Sequence, residues 1–121
     1  MGRDARWNEE VAEALLEVAE ELPDTRVGKM FGHPALYAGG KLYACAYGDG
    51  VGLKLPGDLA AALIEEDGFE PFQPYGKRMR EWLLLRATDR EAVRARVPVL
   101  EQAARFVAGL ASVDRKSTGA G

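Results

Sequence analysis

The chain has 121 residues, 47% hydrophobic and 29% charged, with a formal net charge of −3 and a pI of about 5.2. That length suits one domain with an ordinary core. No apolar run approaches the roughly 18 residues of a membrane helix, and the negative balance argues against general polyanion binding, nucleic acid included. One cysteine and one histidine exclude an internal disulfide and the usual Cys/His zinc clusters, so neither a metal nor a cofactor is expected.

A lone thiol and a start that leads into an acidic helix read as a cytoplasmic chain without a signal peptide. Charge is unevenly spread. Residues 1–24 hold eight acids and two bases, a net −6, while residues 77–105 hold eight bases and four acids, a net +4. The two stretches are expected either to attract each other within the fold or to present opposite faces to partners.

The first helix is expected from Trp7 to Leu22. Trp7, Val11, Ala14, Leu15, Val18 and Leu22 recur at helical spacing, and Pro23 stops the run. A β region follows. Short strands are expected over Val27–Phe31 and Pro34–Ala38, then a Gly39-Gly40 hairpin turn, because glycine reaches positive φ cheaply. Leu42–Tyr47 alternates Leu42, Ala44 and Ala46 against Tyr43, Cys45 and Tyr47. Gly48-Asp49-Gly50 makes the next turn. Val51, Leu53 and Leu55 then face one side, with Gly52 and Lys54 opposite.

A second helix is expected from Asp58, as N-cap, to about Glu66, with Gly68 as its stop. Phe69–Gly76 is rich in proline and aromatic residues and reads as a loop. Met79–Leu85 reads as a strand apolar on both faces. Thr88-x-x-Glu91 has the form of a capping box opening the last helix, which Pro98 should bend or split near Val97. Glu101 and Arg105 form an i,i+4 pair of favourable orientation. Residues 114–121 have no periodicity and are expected to form a disordered tail behind one domain at 1–113. The resulting α+β fold is a two-layer sandwich: an antiparallel sheet of about five strands with helices on one face.

The blocks Lys29-Met30-Phe31-Gly32-His33-Pro34-Ala35-Leu36-Tyr37, Gly39-Gly40-Lys41-Leu42-Tyr43-Ala44 and Val51-Gly52-Leu53-Lys54-Leu55 resemble the N-terminal domain of the TfoX/Sxy family. Glu70-Pro71-Phe72, Gly76-Lys77-Arg78-Met79 and Glu81-Trp82 are similar to that family's Pro-Phe loop and following strand. The resemblance spans roughly residues 9 to 110. It implies an antiparallel α/β sandwich related to YjbR-like and secretion-chaperone-like folds, and a cytoplasmic, non-catalytic, regulatory role exerted through protein contact. Gly32-His33-Pro34 departs from the commoner Gly-Gly-Tyr form of the motif. Full-length members are regulators of natural competence gene expression and carry a second helical domain that is not expected within these 121 residues, so the resemblance carries the fold further than that role.

Several residues are candidates for chemistry or binding. His33 sits between Gly32 and Pro34, in a turn from which its ring could reach a ligand. No Ser, Cys or Asp beside it in sequence makes it a general base. Cys45, mid-strand between alanines, reads as a small buried hydrophobe. Lys77, Arg78 and Arg80, next to Tyr75, form a basic strand suited to phosphate, nucleic acid or an acidic partner, unless they pair with Glu81, Glu70 or the first helix. Lys54 should stand on the sheet's outer face, which Tyr43, Tyr47 and Arg80 could share. Gly48-Asp49-Gly50-Val51-Gly52 lacks the spacing and following helix of a phosphate loop. The expected function is a non-catalytic protein-interaction module. The alternative is a domain binding a small anionic ligand or nucleotide through His33, Tyr75, Lys77 and Arg78. One chain or a homodimer is equally compatible with the sequence.

Overall fold

The computed structural model describes residues 6–73 and 81–119, of which 111–119 as backbone. Four helices and six strands follow in the order α1 (Glu9–Glu21), β1 (Thr25–Met30), β2 (His33–Ala38), β3 (Lys41–Ala46), β4 (Gly50–Lys54), α2 (Gly57–Leu63), β5 (Phe69–Pro71), β6 (Trp82–Arg86), α3 (Arg90–Arg94) and α4 (Val97–Gly119). The strands form one antiparallel sheet in the order β1-β2-β3-β4-β6-β5, with the helices layered on one face. The α+β sandwich is as expected, with six strands where about five were expected. The additional strand, β5, lies in the Pro-rich stretch read as a loop. Three residues are too few to show alternation, and Pro71 argues locally against a strand. Its position at the sheet edge tolerates that proline, and Phe69, Glu70 and Pro71 pair with Leu85, Leu84 and Leu83.

Caps set the helix boundaries. The Asn8 side chain accepts hydrogen bonds from the backbone N–H groups of Glu10 and Val11, so α1 begins after it and not at Trp7. Trp7 instead forms a parallel bridge with Gly48, supported by a 2.6 Å hydrogen bond from Gly48 N–H to the Arg6 carbonyl. Asp58 is not a cap: α2 opens at Gly57 with Pro56 as N-cap, and the Asp58 carboxylate binds the adjacent Leu59 N–H. The Thr88–Glu91 box is likewise displaced by one residue. Asp89 caps α3 through the Ala92 N–H at 2.8 Å, because a carboxylate is at least as good an acceptor there as a hydroxyl. Pro98 splits the C-terminal helix as expected, α3 ending at Arg94 and α4 opening at Val97. The α4 backbone stays helical to Gly119, taking in most of the segment read as a tail.

The main core lies between sheet and helices. Val11, Leu15 and Val18 of α1, Val93 of α3 and Leu100 and Val107 of α4 pack on Leu36, Tyr43, Val51, Leu53, Leu83 and Leu85. At ~25 cal/mol per Å² of apolar surface, each fully buried aliphatic side chain contributes about 1.5–3 kcal/mol. The acidic first helix is clamped to α3 by Arg90–Glu17 at 2.8 Å and Arg94–Glu21 at 2.7 Å, so the opposite charges of the two stretches attract within the fold.

One register detail changes which residues face outward. Leu36 pairs with Ala44 but Tyr37 pairs with Leu42, so Tyr43 is the extra residue of a β-bulge. The bulge turns Tyr43 into the main core, where it is fully buried and its hydroxyl lies 3.0 Å from Thr25 Oγ1. The expected alternation of Tyr43 with Cys45 and Tyr47 is thereby broken, and Tyr43 is not on the outer face.

Candidate functional site

Across the sheet from the helices lies a second, smaller cluster of Ala35, Cys45, Phe72 and Trp82, with Tyr47 and Leu84 packed against it. Aromatic rings run through it in series. Trp7 meets His33 at 5.2 Å between centroids, and His33 stacks on Tyr47 at 5.3 Å and 15°. Tyr47 meets Phe72 edge-on at 5.2 Å, and Phe72 meets Trp82 at 5.6 Å. Cations stand at both ends: the Arg6 guanidinium 4.9 Å from the Trp7 ring centre and Lys54 Nζ 6.0 Å from that of Trp82. Apart from the adjacent Arg6 and Trp7, these neighbours come from separate segments of the chain, Lys54 and Trp82 being partners across β4 and β6.

His33 is placed differently from the expectation. It is the first residue of β2 and only 7% exposed, while Phe31 and Gly32, both at positive φ, form the turn before it. Its Nδ1 lies 2.9 Å from the Ala46 carbonyl. A carbonyl can only accept, so Nδ1 carries the hydrogen and the ring is locked in orientation. Cys45 is fully buried, and burial pushes its thiol up to about 12, only partly opposed by the Gly52 backbone. A thiol so far above neutral pH is a poor nucleophile. Both groups thus serve the outer-face cluster.

Lys54 does stand on the outer face, where it pairs with Glu81 at 3.5 Å, and Glu70 pairs with Arg86 at 3.5 Å. Tyr75, Lys77, Arg78 and Arg80 lie outside the described residues. Lys54 and Tyr47 are thus brought to the face named for them.

The feature missed by sequence reasoning is the sheet edge formed by β1. Among the described residues nothing pairs with the far side of β1. Val27 on this strand is 55% exposed, and Phe31 just beyond it is 74% exposed and held at φ 51°. A non-glycine residue at positive φ is strained, the more so for a bulky side chain. Arg26 and Lys29, on the same strand, differ from the other cations whose side chains are described. Lys54, Arg86, Arg90, Arg94, Arg96 and Arg105 have acidic partners, and Arg6 and Lys41 have interactions of their own, whereas the side chains of Arg26 and Lys29 have none. The available signal was the alternation of Arg26 and Lys29 around Val27, but order along the chain does not reveal which strand ends at an edge.

Among the described residues no group of three or more His, Cys, Asp or Glu side chains could hold a metal, and no helix is long and apolar enough to cross a membrane. Comparison with protein-family models, with curated proteins and with solved structures finds no match.

Proposed function

We propose that this chain is a non-catalytic, cytoplasmic protein-interaction module of the regulatory kind that its resemblance to the TfoX/Sxy N-terminal domain implies. The observation that carries the proposal is β1: a six-residue edge strand whose far side pairs with nothing among the described residues, with Val27 and Phe31 exposed on and beside it. Free strand edges bind protein readily, because their unpaired N–H and C=O groups match another extended chain. The fate of His33 and Cys45 supports the same reading. The two groups best suited to acid–base or nucleophilic work are occupied in packing and hydrogen bonding.

The test is capture from nuclease-treated host lysate, comparing wild type with Val27→Asp/Phe31→Ser and with Arg78→Glu/Arg80→Glu. Retention of one protein at fixed stoichiometry, lost in the first variant, is the expected result. Loss only in the second would move the contact to the basic strand. If no protein is retained and an anionic metabolite raises the melting temperature by mass action, the small-ligand reading takes its place.

A further inference from the structure

We infer that the β1 edge takes an extended acidic peptide segment as an added strand, with two acidic residues three positions apart and an apolar residue between them. The inference rests on the protein-interaction reading above and names the partner's chemistry.

Three observations converge. First, β1 is regularly paired on its inner side. Thr25 to Met30 pair with Ala38 to His33 in unbroken register, and the one bulge lies between β2 and β3. Six residues at ~3.4 Å each offer about 20 Å of edge. Sheets commonly protect such an edge with proline, a bulge or a covering loop; here none of these lies on β1 among the described residues.

Second, the edge is basic on both faces. The register alternates side chains, placing Arg26 on one face and Val27 and Lys29 on the other. Both cations are exposed and, unlike the other cations whose side chains are described, lack any partner. Charged residues on an edge also deter self-pairing. Unpaired positive charge on both faces favours an acidic strand as the neighbour.

Third, exposed apolar groups sit where such a strand would need them. A partner residue opposite Val27 would cover that side chain, and Phe31 stands just past the strand end. Gly28 itself has no room for a side chain, the Tyr37 ring lying 2.9 Å from where its β-carbon would stand, so the partner residue opposite it meets no side chain on this strand. Read along the partner, the cross-strand positions are then acid, apolar, unspecified, acid.

The experiment uses a blocked, fluorophore-labelled heptapeptide with two glutamates three positions apart in a Val/Thr background. Its binding to the whole chain is followed by anisotropy at low salt. Wild type is expected to bind it, and Arg26→Glu/Lys29→Glu to bind it about tenfold more weakly or less. The same variant should gain affinity for the peptide carrying lysine in place of glutamate. Both substituted residues are exposed, and an unchanged melting temperature confirms that the variant is folded. Equal binding of a peptide N-methylated at alternate residues would overturn strand addition, since it keeps the charge and loses the backbone donors. Displacement of the parent peptide by single-stranded oligo-dT as effectively as by itself would overturn the peptide class. A concentration-dependent dimer broken by Val27→Asp would assign the edge to a second copy instead. Should lysate capture retain a stoichiometric protein equally with wild type and Arg26→Glu/Lys29→Glu, the interaction reading stands and this inference falls.

Discussion

His33 lies stacked on Tyr47, their ring centres 5.3 Å apart and their planes 15° from parallel, while His33 Nδ1 is tied to the Ala46 carbonyl one residue before that tyrosine. The imidazole is thus a strut between the start of β2 and the end of β3. Replacing it removes a hydrogen bond of about 0.5–1.5 kcal/mol and aromatic contacts of similar size. His33→Ala is expected to lower stability by about 2–3 kcal/mol in urea unfolding. A loss under about 0.5 kcal/mol would contradict the strut.

Two glycines in β4 stand where a side chain has no room. A β-carbon on Gly52 would lie 3.0 Å from the Phe72 ring and 3.2 Å from Cys45 Sγ, and one on Gly50 would collide with the Leu85 carbonyl oxygen. The ring can give way and the sheet backbone cannot. Gly50→Ala is therefore expected to cost more than Gly52→Ala, about 3 against about 1–2 kcal/mol. Denaturant midpoints of the two variants decide the order.

Cys45 makes stability depend on alkaline pH. Its thiol is raised from an ordinary 9.0 to about 12, so the unfolded chain loses that proton first. The stability it protects is complete below about pH 9 and disappears as pH climbs towards about 12, with a slope of at most ~1.4 kcal/mol per pH unit. Tyr43, also raised by burial, acts in the same direction above its ordinary 10.0. Cys45→Ala should flatten the first part of that decline, leaving the tyrosine's share. A thiol reagent at about pH 8 should label wild type only at the rate of opening.

The acid limb depends on Glu17. The hydrogen bond from Arg90 holds its carboxyl below the usual value of 4.5, with the charges of Arg90 and Arg94 adding to it against desolvation. A depressed carboxyl stabilises the fold above its unfolded value and ceases to do so as pH falls through the folded one. Arg90→Gln should lower the melting temperature near pH 6 and narrow its difference from wild type near pH 3. The difference should also shrink in about 1 M salt, because both partners are exposed.

Phe31 trades stability for exposure. It occupies a turn position at φ 51° that Asn fills with less strain, followed by Gly32 at φ 84°. Phe31→Asn is expected to raise stability by about 1 kcal/mol. Partner binding at the β1 edge should weaken in the same variant. Destabilisation would show that the aromatic ring matters to the fold itself.

Periodicity along the chain was enough for the helices, the Gly39-Gly40 turn and the split before Pro98, since each depends on residues within a few positions of one another. The inward set Val51, Leu53 and Leu55 was legible for the same reason. Register and edge position were not, because they follow from pairing between distant segments. The bulge that buries Tyr43 arises where β2 and β3 meet, and β5 exists only because β6 lies beside it. Tertiary structure alone carried His33 from a turn into a stack of rings, and it left Arg26 and Lys29 without the acidic partners that nearly every other described cation found. A side chain's chemistry is written in the sequence, but its neighbours are set by the burial and strand pairing of the whole fold.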